Sequence, residues 1–159
     1  MVRVSGRAKE MKRICWLIVA GLLSACTPAP EFTNGQGQPV ALAQFAGKPL
    51  LVNYFAPWCA PCLRELPLLE ALAQEGALAV VAIHYDPATP AELAALASRY
   101  RISLPLLIAN DTASLPFPHP TGLPTSYLLD AEGKLQQTIV GELDAQQIAT
   151  LKAQAAAVR

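Results

Sequence analysis

The sequence predicts one α/β domain with a central mixed sheet, parallel in its first part and antiparallel at one edge, and with helices on both faces. Apolar runs rich in β-branched and aromatic residues alternate with segments whose leucines and alanines recur at helical spacing. Two later strands are joined by residues 131–133 (AEG), which is a hairpin signal. The chain has 159 residues, 53% of them hydrophobic, and this is enough for a single buried core.

The predicted order of elements is β-α-β-α-β, followed by a hairpin and a last helix. Asp144 is the predicted N-cap of that helix, because its short side chain can accept a hydrogen bond from a free backbone N–H. Residues 111–122 contain three prolines, at 116, 118 and 120, and are predicted to form a loop, with or without one helical turn. The predicted strands are 49–55, 78–85, 104–109, 125–130 and 134–140, and the predicted helices are 60–74, 90–100 and 145–157.

The N-terminal segment has the pattern of a secretory signal. Lys12 and Arg13 precede an apolar run at 14–23, which is too short for the roughly 20 residues of a membrane span. The next residues, 23–26 (LSAC), resemble a bacterial lipobox, in which the peptide is cut before a cysteine that receives lipid; a plain signal peptide with an incidental cysteine is the alternative. Translation from Met1 or from Met11 is left open.

These patterns divide the chain into three parts. We expect a lipoprotein signal peptide at 1–25, a lipidated tether rich in proline, glycine and polar residues at 26–37, and the α/β domain at 38–159. Acyl chains on Cys26 would hold the protein at a membrane surface, facing the periplasm or another extracytoplasmic space.

The charge distribution excludes one class of partner. Residues 1–25 hold five of the twelve basic residues and one acid, so the rest of the chain carries seven basic and eleven acidic residues. An acidic domain without a stripe of basic residues binds the phosphate backbone of nucleic acids poorly. We therefore expect no nucleic-acid partner.

The cysteines identify the candidate reactive site. Cys15 lies in the predicted signal and Cys26 is the predicted lipid anchor, which leaves Cys59 and Cys62 in the folded domain. Two cysteines three positions apart gain little as a structural staple, because closing so small a loop removes little chain entropy. They form either a redox pair or half of a metal site.

The position of the pair between a strand and a helix favours redox chemistry. Disulfide exchange needs a thiolate, and the unpaired N–H groups and dipole at a helix N-terminus stabilise that anion. Cys59 has this position, so we expect it to attack the substrate disulfide. Cys62, one turn later and more buried, is expected to resolve the mixed disulfide.

From these residues the chain resembles the thioredoxin superfamily, and more narrowly the TlpA/ResA/DsbE-like group of membrane-tethered thiol-disulfide oxidoreductases. The resemblance rests on 50–72 (LLVNYFAPWCAPCLRELPLLEAL), on 122–125 (GLPT) and on 130–133 with Gly141. It covers roughly residues 36–155 and implies a thioredoxin-like fold. In this group an extra helix and strand, here at about 86–109, follow the active-site helix and second strand.

The resemblance also implies roles for other residues. Pro124 corresponds to a cis-proline that faces the cysteine pair, Leu123 would pair with the backbone of the substrate, and Trp58 would contact the substrate. Glu65 would exchange a proton with Cys62, although a glutamate on a helix is more often simply solvated. Asn53 replaces the buried acid of thioredoxin, which leaves any proton relay to Glu65.

The remaining signals are weaker. His84 and His119 make no ligand spacing with the cysteine pair, so we expect no metal, and His84 is expected to be partly exposed at its strand end. Residues 116–120 (PFPHP) depart from the longer helix of the group. They either shape the substrate groove or form a stiff surface loop.

The resulting hypothesis is a protein disulfide reductase whose only redox group is the Cys59–Cys62 pair. Oxidising members often have histidine at the position of Pro61. The proline here favours a reductase. The resemblance implies a membrane thiol carrier as electron donor and protein disulfides as substrates, oxidised apocytochrome c among them. The alternatives are a disulfide oxidase, a copper-handling chaperone of the same fold and a peroxide reductase. The last lacks its usual Thr-x-x-Cys context, since Ala56 stands at the threonine position.

Overall fold

The computed structural model describes residues 29–157 and contains one seven-stranded sheet and three α-helices. The strands are β1 (Phe32–Asn34), β2 (Pro39–Val40), β3 (Leu50–Phe55), β4 (Ala79–His84), β5 (Leu106–Ala109), β6 (Thr125–Leu129) and β7 (Leu135–Val140). The helices are α1 (Ala60–Glu75), α2 (Pro90–Tyr100) and α3 (Ala145–Ala157), with a 3-10 helix at Leu42–Phe45. Across the sheet the strand order is β2-β1-β5-β4-β3-β6-β7.

The centre of the sheet is parallel and both of its edges are antiparallel. β3 pairs in parallel with β4, and β4 pairs in parallel with β5. β6 and β7 extend the sheet antiparallel on one side, and β1 and β2 do so on the other. The predicted thioredoxin-like α/β fold is confirmed, and α2 with β5 forms the expected helix–strand insertion.

All three α-helices pack against the same face of the sheet. Buried side chains such as Leu69 of α1, Leu93 of α2 and Leu151 of α3 share one hydrophobic cluster with Leu51 and Leu128 of the sheet. The two parallel crossovers step across the sheet in the same direction, from β3 to β4 to β5. Right-handed connections then place α1 and α2 on the same side.

The opposite face is covered by the 3-10 helix and by the loop before β6. Phe117 of this loop is buried and stacks on Tyr127 of β6, with ring centroids 4.6 Å apart. The Tyr127 hydroxyl donates to the Pro118 carbonyl at 2.9 Å, which holds the loop against the sheet. We expected helices on both faces of the sheet. On this second face the short 3-10 helix is the helical cover within residues 29–157, and a proline-rich loop covers the rest.

Strand β1 lies inside the segment that the sequence assigns to the tether. Phe32 is fully buried and pairs antiparallel with Ala109 of β5. The Asn110 side chain also donates to the Pro30 carbonyl at 2.8 Å. The sheet thus begins before residue 38, and the predicted tether of 26–37 is corrected here. A three-residue strand between proline and glycine residues gives almost no periodicity to detect.

The other predicted elements are confirmed, with bounds that differ by at most two residues. Asp144 caps α3 as predicted: its carboxylate accepts from the Gln147 N–H at 2.8 Å, and its own N–H donates to the Gln147 side chain at 2.9 Å. Residues 111–122 form a loop without a helical turn.

The predicted signal peptide and the lipidation site Cys26 lie outside the described residues and stay predictions. Among residues 29–157, none of the helices combines the length and the apolar character that crossing a membrane would require.

Replacing Phe117 tests whether the proline-rich loop is part of the core. We expect Phe117→Ala to lower the free energy of unfolding by about 3–5 kcal/mol, the usual cost of truncating a buried phenylalanine. Urea denaturation measures this, with Val140→Ala as the control, because Val140 is among the exposed large hydrophobic residues. A loss below about 1 kcal/mol for Phe117→Ala would mean that the loop is a detachable surface feature.

Candidate active site

The cysteine pair lies where the sequence predicts, between the end of β3 and the start of α1. Cys59 is the N-cap of α1, and Cys62 lies in its first turn. The two form a disulfide with their Cα atoms 5.3 Å apart. The Cys62 backbone N–H donates to Cys59 Sγ at 3.3 Å, so the helix terminus presents a hydrogen-bond donor to this sulfur. The same donor and the helix dipole would stabilise a Cys59 thiolate in the reduced protein.

The two cysteines differ in exposure. Cys59 is 5% exposed and Cys62 is fully buried beneath the first turn of α1. The predicted order of burial is confirmed. An incoming disulfide therefore reaches Cys59 first, which supports the assignment of attack to Cys59 and resolution to Cys62.

Glu65 is a buried carboxylate one helical turn after Cys62. It has no exposed surface, and both of its oxygens accept hydrogen bonds, from the Asn53 side-chain amide at 2.8 Å and from the Leu143 backbone N–H at 2.7 Å. Burial raises the pKa of Glu65, the two hydrogen bonds lower it, and the charge of Glu142 raises it further; the balance is upward. Glu65 is therefore not a solvated residue on the helix surface.

Asn53 couples the central strand to this carboxylate. It is buried on β3, and its amide donates to Glu65 and, at 3.0 Å, to the Ser126 hydroxyl on β6. Its carbonyl oxygen is buried and has no partner within residues 29–157. With an amide at this position, Glu65 is the one buried carboxyl of the site within residues 29–157, so no second buried carboxyl competes with it for ionisation.

An exposed ion pair stands next to the Glu65–Leu143 hydrogen bond along both chain segments. Arg64 and Glu142 are the chain neighbours of those two residues, and the Arg64 guanidinium contacts the Glu142 carboxylate with both Nε, at 2.9 Å, and Nη2. The α1 helix and the segment between β7 and α3 are therefore joined twice in succession. Sequence reasoning missed both contacts, because the partners lie 78 positions apart and no local pattern links them.

The loop before β6 has the conformation that the resemblance implied. The Leu123–Pro124 peptide bond is cis, and Pro124 is buried. Leu123 is half-buried against the hydrophobic cluster that contains both cysteines. Their roles in holding a substrate stay proposals.

Trp58, next to Cys59, is held in place although 63% of it is exposed. Its indole N–H donates to the Asp86 carboxylate at 2.6 Å, and its ring stands edge-on to Tyr85 with centroids 6.2 Å apart. Asp86 and Tyr85 are site residues that sequence reasoning missed. The expectation for their neighbour His84 was wrong: it is only 7% exposed, because the β4–α2 loop and Phe55 close around it.

The fold and the cysteine pair define a thioredoxin-like protein with a CxxC disulfide at a helix N-terminus. The chain belongs to the AhpC/TSA family, whose family model matches residues 25–138.

Its relatives agree with this class. The thioredoxin-like protein YneN of Bacillus subtilis is 35% identical over 121 residues, which cover 72% of this chain and 71% of that protein. The thiol-disulfide oxidoreductase ResA of Bacillus cereus is 29% identical over 125 residues, 76% of this chain and 72% of that protein. The crystal structure of a thioredoxin-family thiol:disulfide interchange protein from Chlorobium tepidum aligns with a TM-score of 0.65 and 28% identity over 81% of this chain and 95% of that one. The resemblance stated from the sequence is confirmed.

The buried carboxyl gives a pH dependence of stability. Since the pKa of Glu65 is higher in the folded than in the unfolded chain, the stability it contributes is complete below its unfolded pKa and is lost as the pH rises through its folded pKa. Glutamine does not ionise, so Glu65→Gln should not lose this stability as the pH rises. We expect the stability of Glu65→Gln relative to the wild type to increase as the pH rises above about 4, the ordinary pKa of a glutamate.

Urea denaturation across that pH range measures the difference. The matched control is Glu132→Gln in the β6–β7 hairpin, where the same change removes an exposed carboxylate instead of a buried one. A relative stability of Glu65→Gln that stays level or falls with pH would contradict the raised pKa.

Proposed function

We propose that this thiol-disulfide oxidoreductase reduces disulfide bonds in other proteins outside the cytoplasm. The observation that carries the proposal is the arrangement of the two cysteines. Cys59 caps α1 and accepts a hydrogen bond from the Cys62 N–H, while Cys62 is fully buried. The cysteine whose thiolate is stabilised, Cys59, is thus also the one that a substrate disulfide can reach.

The reaction follows from this arrangement. In the reduced protein the Cys59 thiolate attacks one sulfur of the substrate disulfide, and the other substrate sulfur leaves as a thiolate. Cys62 then gives up its proton and attacks Cys59 Sγ, which releases the second substrate sulfur. The substrate has gained two electrons, and the protein is left with the Cys59–Cys62 disulfide that this structure contains.

Glu65 is proposed as the acceptor of the Cys62 proton. It lies one turn along the same helix, and its raised pKa makes it a better base than an ordinary solvated carboxylate. The Asn53 and Leu143 donors keep the ionised form available despite its burial.

The location and partners are proposed from the sequence pattern. A cleaved signal and lipid on Cys26 would place the domain at a membrane in the cell envelope. A membrane thiol carrier would return the two electrons, and apocytochrome c is a candidate among the protein disulfides. Loss of membrane association in Cys26→Ser would support the anchor.

The direction of electron flow is tested by the reduction potential. We expect the Cys59–Cys62 couple to lie toward about −270 mV, as for a reductase, and not near about −120 mV. Equilibration with glutathione or dithiothreitol measures it. Pro61→His is the informative variant, since a histidine before Cys62 would stabilise the Cys59 thiolate and raise the potential. A wild-type value near about −120 mV would favour the oxidase instead.

Trapping separates the roles of the two cysteines. Cys62→Ala should accumulate a mixed disulfide between Cys59 and an oxidised protein such as insulin, because the resolving thiol is gone. Mass spectrometry of the adduct identifies the linkage, and Cys59→Ala is the matched control that should trap little. Equal trapping by both variants would contradict the assignment. Stoichiometric Cu(I) binding by a wild type that does not reduce insulin would favour the metal-handling alternative.

A further inference from the structure

A groove opens beside Trp58 that the reaction at the cysteine pair leaves unused. It measures about 990 Å³ and is lined by the end of β3, by the start of the β4–α2 loop and by the stretch from β5 to the proline-rich loop. Trp58 borders it through its contacts with Tyr85 and Asp86, both of which line it. The neighbour of Cys59 in the chain thus contacts two residues of the groove lining.

The charge in the groove is of one sign. Its lining contains the carboxylates of Asp86 and Asp111, and no lysine or arginine lines it within the described part of the chain. Asp86 uses one oxygen for the Trp58 indole, and a carboxylate offers further acceptor positions. A smaller cavity of about 340 Å³ also reaches His84 and Asp86, but Glu92 and Arg99 both line it, so its charge is balanced.

Aromatic rings form a wall of the same groove. Tyr85 contacts Trp58 on one side and His119 on the other, with centroids 6.2 Å and 4.9 Å apart. His119 continues to Tyr54 at 5.6 Å. Aromatic faces attract cations through their quadrupole, so the wall and the carboxylates favour the same kind of ligand.

His84 adds an unmet acceptor. Its Nδ1 lies 2.7 Å from the Asp86 carbonyl, which can only accept, so Nδ1–H is the donor. In the imidazole tautomer with its proton on Nδ1, Nε2 is an acceptor, and this buried atom has no partner within residues 29–157. A buried acceptor without a donor is costly, and an N–H group entering from the ligand would satisfy it.

We propose that this groove binds a lysine or arginine side chain of the protein whose disulfide meets Cys59. The inference rests on the proposed function and specifies its substrate class: disulfide proteins with a basic residue close to the reactive cysteine. Asp86 and Asp111 supply the counter-charge, Tyr85 and His119 the aromatic wall, and His84 an acceptor. The charge of Arg64, on the active-site helix, is already paired with Glu142, so it gives no comparable selection between charged substrate residues.

Disulfide-bonded peptides that differ at one position beside a cysteine test the proposal. Reduction by the full-length reduced protein is followed for peptides with Lys, Arg, Gln or Glu at that position. We expect kcat/KM to be about fivefold higher for the Lys and Arg peptides than for the Glu peptide. Salt at about 1 M should largely remove this preference, because it shortens the Debye length to about 3 Å.

Variants locate the preference. Asp86→Asn removes the charge yet keeps an amide oxygen that can accept from Trp58, and Asp111→Asn removes the second charge. Either should reduce the preference to about twofold or less, whereas Glu132→Gln, at the opposite end of the sheet, should leave it unchanged.

The outcomes are distinct. Reduction of the Gln peptide with no preference for charge, or a preference that survives both aspartate variants, overturns the groove assignment and leaves the proposed function standing. Failure to reduce even the Gln peptide overturns the proposed function and the inference together.

Discussion

The backbone N–H groups in the first turn of α1 have no carbonyl partners within the helix, and the chemistry of the site depends on what they meet instead. One of them, from Cys62, points at Cys59 Sγ. The central strand β3 brings the chain to this point, and Pro61, which has no N–H to satisfy, is well tolerated in the first turn. A sulfur held here is biased toward its anion before any partner arrives.

The second constraint is the buried carboxyl behind the pair. Burying a charge is unfavourable unless donors surround it, and Glu65 receives them from two directions, β3 and the segment after β7. The acid from the first half of the chain is therefore correctly placed only when the second half has folded around it. The Arg64–Glu142 pair on the surface marks the same junction, although an exposed pair of this kind contributes little to stability on its own.

Much of this could be predicted from sequence because the relevant signals are local. The strands, the helices and the position of Cys59 at a helix start follow from periodicity, capping residues and spacing. The face on which the helices pack could not be predicted in the same way. Successive right-handed crossovers in one direction require α1 and α2 on one side, but this needs the strand order, which the sequence alone did not provide.

What could not be predicted are contacts between distant segments. The donors to Glu65 lie 12 and 78 positions away, and Asp86 lies 28 positions from Trp58. β1 was missed because its three residues pair with β5, far along the chain, and carry no alternation of their own. His84 illustrates a related difficulty, since its strand-end position suggested exposure and only the loop folded over it determines its burial.

The direction of β1 has a geometric consequence. β1 runs antiparallel to β5, with Phe32 opposite Ala109, so the chain enters the sheet beside the C-terminal ends of the parallel strands. Cys59 follows β3 at this same end of the sheet. Only six peptide units separate Cys26 from Phe32, and fully extended they span at most about 22 Å. If Cys26 is acylated as we propose, the end of the sheet that carries Cys59 stays within a short radius of the bilayer, close to the proposed membrane thiol carrier.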